Sequence, residues 1–251
     1  MKIKLSKLGY NIFVYVVLGF TVIVSIFPII WIIVSSFKTN AQILGSPFSL
    51  PTGINLVPYK KVFTQYNFLT YTFNSLIISS VATAISVIFY AMAAYVIAKY
   101  DFRFKNLFYV LFTMTLLVPG QTKAQPIFTI ILKLHLYDTR LALIFVYLSM
   151  GMAMSLFILR GTFMSIPKEF DESASIEGAG FLRVFLNINL PLAKSGLATA
   201  GVLMFLNYWN EYFYAMLLTS SAKVRTLPLE MGFFNEAFSY NYTEMFAALT
   251  I

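Results

Sequence analysis

The chain has 251 residues, of which 59% are hydrophobic, 18% aromatic and only 11% charged. Soluble domains carry about 25% charge, so this composition excludes an ordinary water-soluble enzyme and assigns the chain to a bilayer. The absence of cysteine excludes disulfides, thiolate metal sites and thiol nucleophiles, and the net charge of +8 lies in the gaps between apolar runs, as topology-setting loops require, instead of in a nucleic-acid-binding stripe.

The first apolar run in chain order is NIFVYVVLGFTVIVSIFPIIWIIVSSF, residues 11–37, uncharged and longer than the ~20 residues a spanning helix needs. It also exceeds the roughly 7–15 apolar residues of a cleaved signal, which predicts a retained anchor. Residues 38–71, with SPFSLPTGINLVPY, are too polar to span and are predicted to lie along the outer surface, meeting a partner or capping the first helices. FNSLIISSVATAISVIFYAMAAYVIA, residues 73–98, is the second predicted span, rich in the small residues that let membrane helices approach closely. A third covers 107–132, interrupted by VPGQTKAQP; a fourth covers 141–159 and a fifth 192–218. MFAALTI starts a sixth, expected to be incomplete in this chain. The predicted fold is an all-α membrane protein, a polytopic helix bundle of about six spans. It forms one domain over 1–251, with an anchor at 11–37, a core over 72–251 and a polar loop at 165–191.

Basic residues orient this bundle. With MKIKLSK in the cytoplasm, Lys2, Lys4, Lys7, Lys99, Arg103, Lys105, Arg160, Lys168, Arg183 and Lys194 fall inside. Lys38, Lys60, Lys61, Lys133, Arg140, Lys223 and Arg225 fall outside, and Lys123 lies in the third span. The inner excess, concentrated in KYDFRFKN, predicts a cytoplasmic N-terminus.

The polar loop then faces the cytoplasm, and SIPKEFDES opens it as a helix. Ser165 is a cap, Pro167 suits the first turn, and Glu169, Asp171 and Glu172 favour the positive end. Gly178 and Gly180 break that helix. Phe181, Val184, Phe185 and Ile188 then form the apolar stripe of a second helix, which Pro191 stops. A helix, a glycine turn and a helix suit docking into a groove on another protein. The alternative is an amphipathic helix lying on lipid, but leading carboxylates repel an anionic inner leaflet.

The loop resembles the signature of the integral membrane subunits of bacterial ATP-binding-cassette importers: E-A-A, three residues, G, nine residues, I-x-L-P. Here stand Glu172, Ser173, Ala174, Gly178, Ile188, Leu190 and Pro191 at that spacing, with serine where the family usually has alanine. WNEYFYAMLLTSSAKVRTLPLEMGFF, residues 209–234, is similar to the region after the signature in carbohydrate-uptake permeases. The resemblance implies a permease in the bacterial cell membrane that pairs with a second, related permease to form a path for a sugar or oligosaccharide. Two ATPase subunits would dock on the loop around Glu169, Glu172 and Gly178, and an external solute-binding protein would deliver the solute. ATP and magnesium would sit on the ATPases, with no cofactor bound by this chain. The letters agree in one respect, since no G-x-x-x-x-G-K-[ST] phosphate loop occurs.

For the solute path, Asn207, Asn210, Glu211 and Tyr214 fall on one side of a helix by i+3 and i+4 spacing, with Tyr208, Trp209 and Tyr212 adding aromatic faces. Polar groups within a membrane helix face a partner helix or a wet cavity, so they either border the path or pair across helices. Gln121, Lys123 and Gln125 invite a similar reading, against which Pro119 and Gly120 simply end a helix and the lysine snorkels outward. His135 lacks a companion ligand, and no catalytic constellation occurs within the spans, so the chain is expected not to be an enzyme. Two alternatives stay open: an ion-coupled secondary carrier using Glu211, and an importer permease for a peptide or amino acid.

Overall fold

The protein is described by a computed structural model covering residues 2–233 and 241–251, and every regular element among the described residues is helical. Phe234, the last letter of the second resembling segment, lies outside them. Two compact units divide the chain, one formed by Met1–Leu69 with Glu230–Ile251 and the other by Thr70–Leu229.

In the first unit, α1 (Lys2–Ser35) contains a stretch, Tyr10–Ser35, that is long and apolar enough to cross a membrane, its most apolar part unburied within the protein and Ser35 at its end buried. A helix apolar on all sides with its side chains outward belongs in lipid, where it satisfies its own backbone. The polar segment that follows is built on local signals and buried polar pairs. Thr39 and Gln42 form a capping box at the start of α2 (Asn40–Gly45), and Pro58 opens α3 (Val57–Gln65). Lys38 is fully buried and donates to the Pro47 carbonyl at 2.7 Å, which also accepts from the Trp31 indole at 2.9 Å.

What this segment covers is the chain's last helix, Tyr242–Thr250, which packs on α1, α2 and α3. Glu244 is buried and accepts from Lys61 Nζ at 2.9 Å and from the Tyr66 hydroxyl. Asn40 bridges the Asn241 side chain and the Thr243 N–H. Burial, helped by the hydrogen bond to Glu244 and its charge, pushes the Tyr66 phenol up to about 12. Residues 38–71 thus cover the Tyr242–Thr250 helix, in place of the first helices that they were expected either to cap or to leave for a partner contact.

The second unit begins along α4 (Phe68–Lys99), the other single helix among the described residues that is long and apolar enough to span. After it come α5 (Lys105–Met114), a turn of 3₁₀ helix (Gly120–Lys123), α6 (Ala124–Lys133), α7 (Arg140–Met150) and α8 (Met152–Ser165). The polar loop holds α9 (Glu169–Ile176), α10 (Phe181–Val184), a π-helical turn (Phe185–Asn189) and α11 (Leu190–Leu192). Then follow α12 (Lys194–Trp209), α13 (Phe213–Leu218) and the start of α14 (Leu227–Phe233), along which this unit ends at Leu229. The pairs Arg140–Met150 with Met152–Ser165 and Phe181–Leu192 with Lys194–Trp209 are apolar enough to span when each is taken together, bent by 50° and 78°.

The fourth and fifth runs, expected to be continuous, are therefore interrupted, as is the third, whose interruption was expected at VPGQTKAQP. The third breaks after Met114, ahead of Pro119, because Thr113 and Thr115 turn their hydroxyls back onto carbonyls and the proline disfavours helix at Val118. The fourth bends at Gly151, where a Cβ would strike the Tyr208 hydroxyl and crowd Met204. The fifth stops at Trp209 and restarts at Phe213. Pro191, expected to stop the second loop helix, instead lies inside a helical stretch. The preceding π turn widens the backbone where proline brings no N–H, and the bend follows at Ala193.

The core of this unit is the seam between α8 and α12. Gly196, Ala200, Met204 and Tyr208 repeat every four residues along α12 and are buried, facing Leu156, Leu159 and Phe163 of α8 in one cluster. Gly196 is required, since a Cβ there would run into the Thr162 side chain. Gly196→Val is accordingly expected to cost about 3 kcal/mol through overpacking. In detergent its Tm should fall by roughly 6–12 °C, and an unchanged melting curve would mean the seam has slack.

The loop after α13 is braced from three positions. Asp138 accepts from the N–H groups of Ser220 and Ser221 at 2.8 and 2.9 Å. Asn74 donates to the carbonyls of Lys223 and Arg225, both at 2.9 Å, and the Ser75 hydroxyl accepts from the Leu227 N–H. Burial opposes the charge of Asp138, but the two N–H groups outweigh it and hold the carboxyl below its ordinary value.

Candidate functional site

The polar loop is assembled from its glycine outward. Gly178 has φ +84, the left-handed region in which only glycine is unstrained. Its N–H donates to Ser175 O and the Ala179 N–H to Ala174 O, both at 3.0 Å. These are the two bonds of a Schellman motif, so Gly178 closes α9 by satisfying its last carbonyls. Ala174 is buried beneath the helix, while Glu169, Glu172, Ser173 and Gly178 are exposed. Ile176, at 88% exposure, projects from its end, and Phe170, Phe181 and Leu182 are exposed beside it. Ile188 and Leu190 are half-buried and Pro191 is exposed. The loop thus offers an acidic helix with an apolar tip that nothing among the described residues covers. At the other end, Ser165 is the last residue of α8, its hydroxyl on Thr162 O, and does not cap α9 as expected.

The loop's anchor was not legible in the letters. Lys99, at the end of α4, buries its side chain and donates from Nζ to Ile166 O at 2.7 Å and Pro167 O at 3.4 Å. It also pairs with Asp171 Oδ2 at 3.2 Å, while Asn189 of the π turn donates to Asp171 Oδ1. Tyr95 lies above this cluster with its ring on Phe185, Phe163, Phe181 and Tyr100, the nearest centroid at 5.0 Å. A cleft of about 470 Å³ runs alongside, lined by Lys99, Tyr100, Lys168, Asp171, Glu172 and residues at the end of α9. In sequence Lys99 read as a topology-setting charge and Asp171 as a helix-dipole acid. Neither reading points to the other residue.

The expected polar face near residue 210 is divided by the helix break. Asn207 and Asn210 are exposed, and Asn210 turns its amide back onto Leu206 O. Tyr208, Glu211 and Tyr214 are buried together. Glu211 accepts from the N–H groups of Tyr214 at 2.7 Å and Ala215 at 3.0 Å, so it caps α13, and from the Tyr147 hydroxyl at 3.0 Å. Tyr147 stacks on Tyr208, whose hydroxyl meets Ser86 at 3.1 Å, and Tyr214 donates to Gly120 O at 2.7 Å. Lys123 is half-buried, and Gln121 and Gln125 are exposed.

The described residues thus form an all-helical, membrane-integral protein that carries an exposed acidic helix closed by glycine between apolar runs. Residues 90–251 match the family of binding-protein-dependent transport system inner membrane components, and the chain belongs to that family. It is 34% identical, over 99% of its length and 89% of the relative's, to a putative ABC transporter permease protein, ORF2, of Caldicellulosiruptor sp. (strain Rt8B.4). It is 31% identical to the diacetylchitobiose uptake system permease protein NgcG of Streptomyces coelicolor, over 91% of this chain and 76% of that one. Among solved structures it resembles a chain of a bacterial ABC transporter involved in the import of the acidic polysaccharide alginate. The TM-score is 0.79 at 27% identity, covering 97% of this chain and 91% of the other.

Proposed function

We propose that this chain is the permease subunit of an ATP-driven sugar or oligosaccharide importer, lying in the bacterial cell membrane with its N-terminus and the 165–191 loop in the cytoplasm. About six spans, α1 among them, form a single transmembrane domain with an anchor at 11–37. A second, related permease completes the path, two ATPases supply the energy, and an external binding protein brings the solute. The observation that carries this reading is the exposed helix α9 (Glu169–Ile176), closed by the left-handed Gly178 and held to the apolar helices beneath it. Such a helix is a lever: closure of the ATPases moves it as a rigid body and switches access from one side of the membrane to the other. Glu169, Glu172 and Ser173 meet the ATPase, and Ala174, Ile188, Leu190 and Pro191 shape the loop's seat. The carbohydrate names of the relatives support the solute class, with a peptide or amino acid as the lesser alternative. Asn207 and Asn210 border the path from their exposed positions, while Tyr208, Glu211 and Tyr214 shape the helix break behind them.

The test is purification of the tagged protein from its own host in mild detergent, with its companions counted by mass spectrometry. An ATPase pair and a second permease are expected, followed by ATP-dependent uptake of a di- or oligosaccharide. Recovery of the chain alone, with uptake driven by a proton or sodium gradient, would overturn the proposal in favour of a carrier.

A further inference from the structure

The loop's motion needs a route into the membrane, and covalent connection alone gives it two, back through α8 and on through α12. The structure adds a third. Lys99 is the last residue of α4, and its ammonium has three donors, all used within the loop: the carbonyls of Ile166 and Pro167 at the turn into α9, and the carboxylate of Asp171 on α9 itself. The other Asp171 oxygen takes the Asn189 amide, from the π turn that leads towards α12. One carboxylate therefore joins the ends of three elements, and Tyr95 of α4 packs against Phe163 of α8 and Phe185 of the π turn over the same point. Helix ends do not slide past a contact that is at once ionic, threefold hydrogen-bonded and roofed by aromatic rings without breaking it, so displacement of α9 drags α4 with it.

We propose that Lys99 is the positioning residue that transmits movement of the coupling helix into α4, through Asp171, making α4 a driven element of the access switch and not a passive wall. This rests on the coupling role of the loop given above. A buried charge pair is a costly way to gain stability, since replacing both partners with apolar side chains is often neutral while removing one leaves a buried charge. That asymmetry separates transmission from mere stability.

The experiment uses the complete transporter, purified with its companions, reconstituted in liposomes and assayed for solute uptake per ATP hydrolysed alongside its Tm. Lys99→Met should lower both Tm and uptake per ATP, the latter about tenfold, within the usual range of coupling between distant sites. The pair Lys99→Met with Asp171→Leu should regain part of the Tm lost in Lys99→Met, the Asn189 amide staying without its Asp171 acceptor, yet keep the low uptake per ATP, with ATP hydrolysis continuing. Lys99→Arg, which keeps the charge and the donors, should retain coupling. Wild-type uptake per ATP in the double variant, or loss of coupling in Lys99→Arg equal to that in Lys99→Met, would overturn the assignment. Gly178→Pro run in parallel isolates the loop itself. If that variant fails to transport while the Lys99 variants couple normally, only the route through α4 is wrong; if it transports normally, the loop reading falls as well.

Discussion

Replacing Gly178 with proline is expected to abolish transport while leaving the protein inserted and purified at the level of the wild type. The position sits at φ +84, and its N–H donates to Ser175 O. Proline holds φ near −65° and has no N–H, so it removes one of the two bonds that close α9 and forces the turn into α10 onto a different course. The local cost is about 3 kcal/mol or more, equivalent to a ~100-fold loss of the docking geometry. Folding of the rest is spared because a side chain at this glycine meets open space and the site is exposed. Uptake into vesicles, with surface expression and ATPase recruitment measured together, is the check. Normal uptake would mean that the glycine turn does not set the geometry by which the loop is moved.

Removing the Glu211 carboxylate should instead cost stability. Glu211→Ala strands the Tyr147 hydroxyl and the N–H groups of Tyr214 and Ala215, all in a buried network. Leaving buried donors unpaired costs about 1–3 kcal/mol each, so at least ~3 kcal/mol in total is expected. A detergent Tm lowered by roughly 6–12 °C would register it. Glu211→Gln, which keeps an acceptor oxygen but turns an amide toward one of the donors, should fall between the two. An Ala variant that melts like the wild type would remove Glu211 from the capping role. Loss of a proton or sodium dependence of uptake in either variant would revive the ion-coupled alternative that the family membership otherwise displaces.

The two variants also mark the reach of local sequence signals. Gly178 was legible because a helix end is decided within five residues: acids at the start, a left-handed glycine at the close, an apolar stripe beyond. Glu211 was legible only as a polar residue in an apolar run, and its spacing with Asn207, Asn210 and Tyr214 presumed one continuous helix. The break after Trp209 separates them, turning Glu211 and Tyr214 inward and leaving the two asparagines exposed. Nothing in WNEYFY announces that break, because the donors that Glu211 satisfies exist only once α13 has formed and packed against Tyr147. Pro191 taught the opposite lesson, since a strong local stop was absorbed by a π turn whose side chains Phe185 and Asn189 are buried.

By itself, then, the sequence determined the solvent, the helical class, the long apolar helices α1 and α4, and the helix–glycine–helix form of the polar loop. Each depends on residues within a few positions of one another, where chain connectivity guarantees proximity. Only the tertiary structure decided where long apolar runs break and which charges meet. Lys99 finds Asp171, Lys61 finds Glu244 and Asp138 finds the N–H groups of Ser220 and Ser221 across wide separations in the chain. A charge taken out of water must be paired, but the rule names no partner; packing chooses it by bringing two helix ends to the same place.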